Sequence, residues 1–276
     1  MNAAATVGAL VRFQLRRHRW LFLGTLLLLM AHDFAFLFVF QFWKDNLELS
    51  DMVLSLIPGR IKEGMGIPLT DLTDPRTYKA LIFMRPDLRA LLLVFGITLG
   101  TDVIAGEVGR GTADVLYSHP VRRVHAIVAG FLACALHLVC AGLVMLVGFK
   151  FAARVFPMGP EEPALRELAP AVLNIVVASG AIVMLAFLLG SLSRTRGRAV
   201  AGTLLLILVP MVLDFLGVFT ESIAWFARLF PEHYYRPHLI LMGTGPSQTS
   251  LLLASATIGA AAGIAAVWFA SRRDLA

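Results

Sequence analysis

Glu107, Arg110, Gly111 and Thr112 fall within six residues of one another, between two long apolar segments, and carry the most specific chemistry in the chain. Glu107 opens the stretch with a carboxylate, and Gly109 and Gly111 permit a tight turn. Thr112 has the hydroxyl of a helix N-cap, which accepts an orphan backbone N–H. Ala113 to Ser118, with Leu116 among them, then reads as a short helix that stops before Pro120. Arg122 and Arg123 mark the return to the apolar phase. A short mixed-charge helix in that position suits docking onto something outside the membrane. His32, Asp33 and Asp214 pose a different problem, because they are ionisable groups inside apolar runs, where burial of a charge is expensive and marks a functional candidate. Cys134, His137 and Cys140 recur every three residues along one helical face, so that adjacent members could reach a soft metal. Buried thiols are common, however, and one helix presents ligands poorly for tetrahedral coordination. His137 can equally bond a neighbouring helix, and no metal centre is expected. Nearly two helical turns separate the cysteines, which excludes a disulfide between them.

The elements that must position these residues are membrane helices. A chain that is 58% hydrophobic and only 15% charged, with several uninterrupted apolar runs, has the bilayer as its main solvent. Its net charge of +6 does not point to nucleic acid, because the arginines sit at the ends of apolar runs instead of forming one basic face. Spans are predicted at 20–42, 88–105, 124–149, 169–192, 199–219 and 248–270, in a single all-α membrane domain covering 1–276. Residues 1–19 read as an interfacial elbow helix, with Val7, Val11 and Leu15 on one stripe and Arg12, Arg16 and Arg19 on another. The run that follows is too long for the apolar core of a signal peptide and is expected to stay as an anchor. Arginines crowd the connections on the N-terminal side: Arg110, Arg122 and Arg123, then Arg194, Arg196 and Arg198, then Arg272 and Arg273. By the positive-inside rule that side, with both termini, is cytoplasmic, which implies a multi-pass protein of the cytoplasmic (inner) membrane.

The opposite connections are longer. Residues 43–87 carry Asp45, Glu48, Asp51, Glu63, Asp71 and Asp74 and are long enough for a small outer cap. Residues 220–247 hold Ile223, Trp225, Phe226, Leu229 and Phe230, too apolar to be solvated and too few to span. They fit a re-entrant or interfacial helical pair broken at Pro231, with Tyr234 and Tyr235 at headgroup level. Gly96 and Gly100 on span two, and Ser255, Gly259 and Gly263 on span six, are spaced for close helix approach and are expected to pack spans within one chain. Asp33 and Asp214 fall at nearly the same depth, about 20 Å from the N-terminal side at 1.5 Å per residue. With His32 they could line a polar cavity, or His32 and Asp33 could simply reach the outer headgroups.

The chain contains no Gly-x4-Gly-Lys-Ser/Thr phosphate loop, so ATP binding of that kind would need another polypeptide. Gly106-Glu107, Arg110-Gly111-Thr112, Leu116 and Ser118-His-Pro-Val-Arg122, placed between spans two and three, resemble the coupling-helix signature of ABC-2 type ABC transporter permeases. The likeness extends over the whole chain: elbow, six spans, basic turn between spans four and five, apolar outer segment before span six. It implies a coupling helix over 106–123 and a half-transporter in which a second permease chain, the same or different, completes the membrane part. Cytoplasmic ABC ATPase subunits, holding ATP and Mg, would grip the coupling helices, and this chain would bind no cofactor and have no catalytic residues. Glu107, Arg110, Gly111, Thr112 and Leu116 are the expected coupling contact. Arg194 and Arg196 are either a smaller second contact or plain topology signals. The resemblance implies export from the cytoplasm or inner leaflet. Its alternative is transmission of mechanical work to an outer-side protein without passage of a solute. A membrane enzyme or ATP-independent carrier fits poorly, since no span carries a dense acid, base or metal cluster.

Overall fold

The computed structural model describes residues 3–59, 61–62, 71–111, 122–217 and 220–272, and the regular structure among them is entirely helical. In chain order the helices are α1 (Ala3–Arg17), α2 (Arg19–Asp45), α3 (Leu47–Leu56), α4 (Pro75–Met84) and α5 (Pro86–Gly109). They continue as α6 (Arg123–Val155), α7 (Leu165–Leu192), α8 (Arg196–Gly217), α9 (Glu221–Ala227), α10 (Pro237–Met242) and α11 (Gln248–Arg272). A 3-10 turn, Pro231–Tyr234, lies between α9 and α10. Six helices, α2, α5, α6, α7, α8 and α11, are long and apolar enough to cross a membrane. These are the six expected spans, each extended at one or both ends. At 33 residues α6 is the longest, and at 1.5 Å per residue its ends pass beyond a hydrocarbon core of about 30 Å.

Helix α7 is the pillar of the bundle and packs against α5, α6, α8, α10 and α11. Small residues make this possible. Gly96 faces Val183, Gly100 faces Ala186 and Phe187, and Gly190 faces the Gly100 carbonyl, so a Cβ would collide at Gly96 and Gly190 and be tightly pressed at Gly100. On α11, Gly259 approaches Ala181, with 3.0 Å left between an added Cβ and the Ala181 Cα. The small-residue spacings thus pack spans within the chain, as their sequence suggests. Helix α8 behaves differently: among its residues only Ala199, Thr203 and Pro210 are buried, and Leu205, Leu208, Val209 and Val212 stay exposed.

The segment expected as a surface cap is partly core. Asp74 caps α4 by accepting from the Thr77 N–H at 2.7 Å, with Pro75 at the first helical position. The helix then buries Tyr78, Lys79, Ala80, Ile82 and Phe83 and packs against α10. Tyr235, expected at headgroup level, is also buried, and its hydroxyl donates to the Phe83 carbonyl at 3.0 Å. A phenol that finds a backbone acceptor inside the protein has no need of the interface. Tyr234 stays nearer the surface and donates to the Arg228 carbonyl at 2.8 Å.

Candidate functional site

Asp102 lies in a π-helical turn, Asp102–Gly106, that widens α5 immediately before its last turn. Such turns insert one extra residue per turn and re-aim side chains. A Cβ at position 106 would strike the Asp102 carboxylate, so glycine there gives the carboxylate room to lie against its own chain. The side chain is 4% exposed and gathers cations from three segments. Arg110 Nη1 donates to Oδ1 at 2.7 Å, Arg17 Nη2 lies 3.2 Å from Oδ2, and Arg196 Nη1 lies 3.8 Å from Oδ1. His18 Nε2 stands 3.8 Å from Oδ2. Glu107 completes the node, accepting from Arg17 Nη1 and Arg110 Nη2, each at 2.7 Å.

Two carboxylates from the end of α5 thereby share guanidinium groups from the end of α1, from the residue after α5 and from the start of α8. Hydrogen bonding to Asp102 pushes the Arg110 guanidinium above its ordinary pKa. Burial pushes the His18 imidazole below its own, against the attraction of Asp102. Gly111 follows directly with φ 69°, a left-handed conformation that suits glycine and ends the helical run.

Of the residues expected at the coupling contact, the structure brings together Glu107, Arg110 and Arg196, with Gly111 adjacent. Arg194 lies in the exposed turn before α8. Thr112 and Leu116 lie outside the described residues. Asp102 and Arg17 are the members that sequence reasoning missed. The signal for Asp102 was present: it is an acid in an otherwise apolar stretch, five residues before Glu107.

His32, Asp33 and Asp214 do not form one cavity. Asp33 is buried on α2 and accepts from Lys79 Nζ of α4 at 2.7 Å, while His32 Nε2 lies 3.7 Å from Asp87. The ammonium of Lys79 also sits over the rings of Phe83 and Phe149, at 5.0 and 4.3 Å from their centroids. Asp214 instead accepts from Arg236 Nη2 at 2.6 Å and meets His233 Nδ1 at 2.7 Å. Equal depth placed the two aspartates on one level, but each turned to the cation nearest its own helix. His137 Nε2 hydrogen-bonds Thr25 Oγ1 at 2.7 Å and its ring stacks on Phe95, while Cys134 is buried and Cys140 half-buried. Among the described residues no group of three or more His, Cys, Asp or Glu is arranged to hold a metal ion.

A second polar cluster lies at the opposite end of the bundle. Arg89 Nη1 stands 2.6 Å from Glu232 Oε1, and its guanidinium lies 3.7 Å from the Tyr235 ring centroid. Asn174 of α7 pins the chain between α9 and α10, donating to the Tyr234 carbonyl and accepting from the Arg236 N–H, both at 2.9 Å. Burial holds the Glu232 carboxyl above its usual range, with Arg89 opposing the shift, and drives His238 down to about 3.

Six helices long and apolar enough to cross a membrane, with a charged node that ties α1 to α5 and α8, define a multi-pass membrane protein. The profile of the ABC-2 family transporter proteins matches residues 14–228, and the chain belongs to that family. It is a membrane-embedded component of an ABC transporter, in a family whose membrane subunits work with an ABC ATPase. No individual curated protein matches the chain.

Proposed function

We propose that this chain is the permease subunit of an ATP-driven exporter, moving its substrate out of the cytoplasm or the inner leaflet. A separate nucleotide-binding subunit would hold ATP and Mg, and the chain itself would bind no cofactor and perform no catalysis. The node around Asp102 is the observation that supports this reading most directly. It joins the segment leading into the 106–123 coupling region with the elbow and with span five, so a push on that region is carried to two membrane elements at once. The end of the bundle bearing the node is assigned to the cytoplasm, with both termini, by its arginines. The membrane is then the cytoplasmic (inner) membrane. The exposed apolar ridge of α8, Leu205, Val209 and Val212, is the surface assigned to a second permease chain.

The test is purification of the tagged chain in mild detergent, with identification of co-purifying proteins and measurement of ATPase activity. A stoichiometric P-loop ATPase is expected, and a chain that purifies alone without ATPase would overturn the reading. One feature favours transmission of work to an outer-side partner instead: α3 exposes Leu47, Met52 and Leu56. An outer protein lost from the same pull-down when these three are changed to serine would support that alternative.

A further inference from the structure

A groove of about 540 Å³ runs between α5 and α8, lined by Ala90, Leu93, Val94, Ile97, Leu204 and Leu208 along its middle. Its volume is that of a small-molecule site. Arg196 lies at the node end, and Arg89 and Glu232 line the other. From Arg196 to Met211 the α8 wall rises about 22 Å, most of the hydrocarbon thickness. An apolar wall alone would select nothing in a bilayer. The far end is different. The Glu232 side chain is 3% exposed and that of Arg89 15%. Their ion pair brings Nη1 to 2.6 Å from Oε1 without hydrogen-bond geometry, and Arg89 Nη2 and both Glu232 carboxylate oxygens are buried without a hydrogen-bond partner among the described residues. A buried donor and a buried acceptor left unmade are costly, and side by side they suit a ligand that offers one acceptor and one donor.

Charge narrows the choice. Arg89 and Arg236 are balanced by Glu232 and Asp214 within the same cluster. A net anion would gain at Arg89 and lose at Glu232, and a net cation would do the reverse. We propose that the groove binds a zwitterionic membrane lipid of the phosphatidylethanolamine type. Its phosphate accepts from Arg89 Nη2, its ammonium donates to Glu232 Oε2, and one acyl chain lies along the groove toward Arg196. Binding needs no ATP. Only the step that would move this lipid rests on the exporter reading above.

The experiment uses the full-length chain reconstituted into vesicles with trace phosphatidylethanolamine carrying a photoactivatable group midway along one acyl chain. Phosphatidylglycerol with the same chain is the comparison, and cross-linked peptides are mapped by mass spectrometry. Phosphatidylethanolamine should label 90–98 and 200–211 about tenfold more than phosphatidylglycerol, the worth of one charge-assisted hydrogen bond. Leu204→Trp, at a half-exposed position of the groove, should abolish most of that labelling while the protein stays monodisperse. Glu232→Gln should remove the preference over phosphatidylglycerol. Equal labelling by the two lipids, or labelling indifferent to Leu204→Trp, identifies ordinary boundary lipid and overturns the proposal. Because labelling proceeds without nucleotide, failure of ATP-driven lipid movement would count against the exporter reading and leave the site intact.

Discussion

At the scale of single residues, two buried carboxylates carry the clearest consequences. Asp33 and Lys79 have side chains 5% and 2% exposed, so removing one partner strands a charge in a low-dielectric interior. Lys79→Met or Asp33→Asn alone is expected to destabilise by about 3–5 kcal/mol, whereas Asp33→Leu combined with Lys79→Met should recover most of the loss. Thermal denaturation of the purified variants in detergent reads this directly. Additive losses in the double variant would show that the pair is not coupled. Asp102 differs because its partners belong to three segments. Asp102→Asn leaves Arg17, Arg110 and Arg196 facing one another across a single remaining carboxylate. The expected result is normal insertion with reduced drive: substrate-stimulated ATPase should fall severalfold in the complex. Unchanged stimulation would mean that the node is only a structural staple.

Among the elements, α5 and α7 matter most, because their contact depends on glycine. Gly96→Leu places a branched side chain against Val183, and overpacking of that kind costs about 1–3 kcal/mol or forces the spans apart. Gly24→Leu on α2 meets open space and should be silent. Size-exclusion profiles of the two variants should therefore diverge, with Gly96→Leu aggregated or depleted. The elbow offers a sharper test of the node. Arg17→Glu should weaken the complex with the motor, and so should Glu107→Arg, each by placing like charges 2.7 Å apart. Combining the two restores opposite charge, so the double variant should recover motor co-purification if α1 and the end of α5 work as one unit. A double variant as poor as either single would separate the elbow from coupling.

The whole molecule is a six-span bundle built on α7, with one charged cluster at each end and a lightly packed fifth span between them. Few buried contacts hold α8, so it is the span free to shift against the rest. Both ends of α8 touch polar clusters, Arg196 at the node and Asp214 at the Arg236 pair. Motion of α8 would thus be felt at both faces. Covalent trapping of α8 against α5 should block ATP-driven turnover without preventing assembly with the motor. Cysteines at Leu204 and Ile97, on facing walls of the groove, joined by a bifunctional thiol reagent that spans it, provide the cross-link. Full turnover in the cross-linked protein would exclude movement between these two spans.

Much of this was legible in the amino-acid sequence, because a bilayer leaves few options. Apolar runs near 20 residues must become helices, since an unpaired backbone group in lipid is too costly. The number of spans, the small-residue contacts and the stretch containing Glu107 and Arg110 followed from one-dimensional pattern. The partners of the charges did not. Asp33 and Asp214 share a depth, yet depth is only one coordinate, and rotation about each helix axis decided that Lys79 and Arg236 would reach them first. Asp102 became the centre of a node through a π-helical turn that no periodicity announces. Arg17 joined it because α1 packs on α6, which brings its last residue beside the end of α5, 90 residues away. Tyr235 went inside for the same kind of reason: a carbonyl on α4 stood where its hydroxyl could use it. Local sequence determines which segments enter the membrane, and only the packed bundle determines which buried charge finds which partner, because that pairing depends on helix rotation and contacts between residues far apart in the chain.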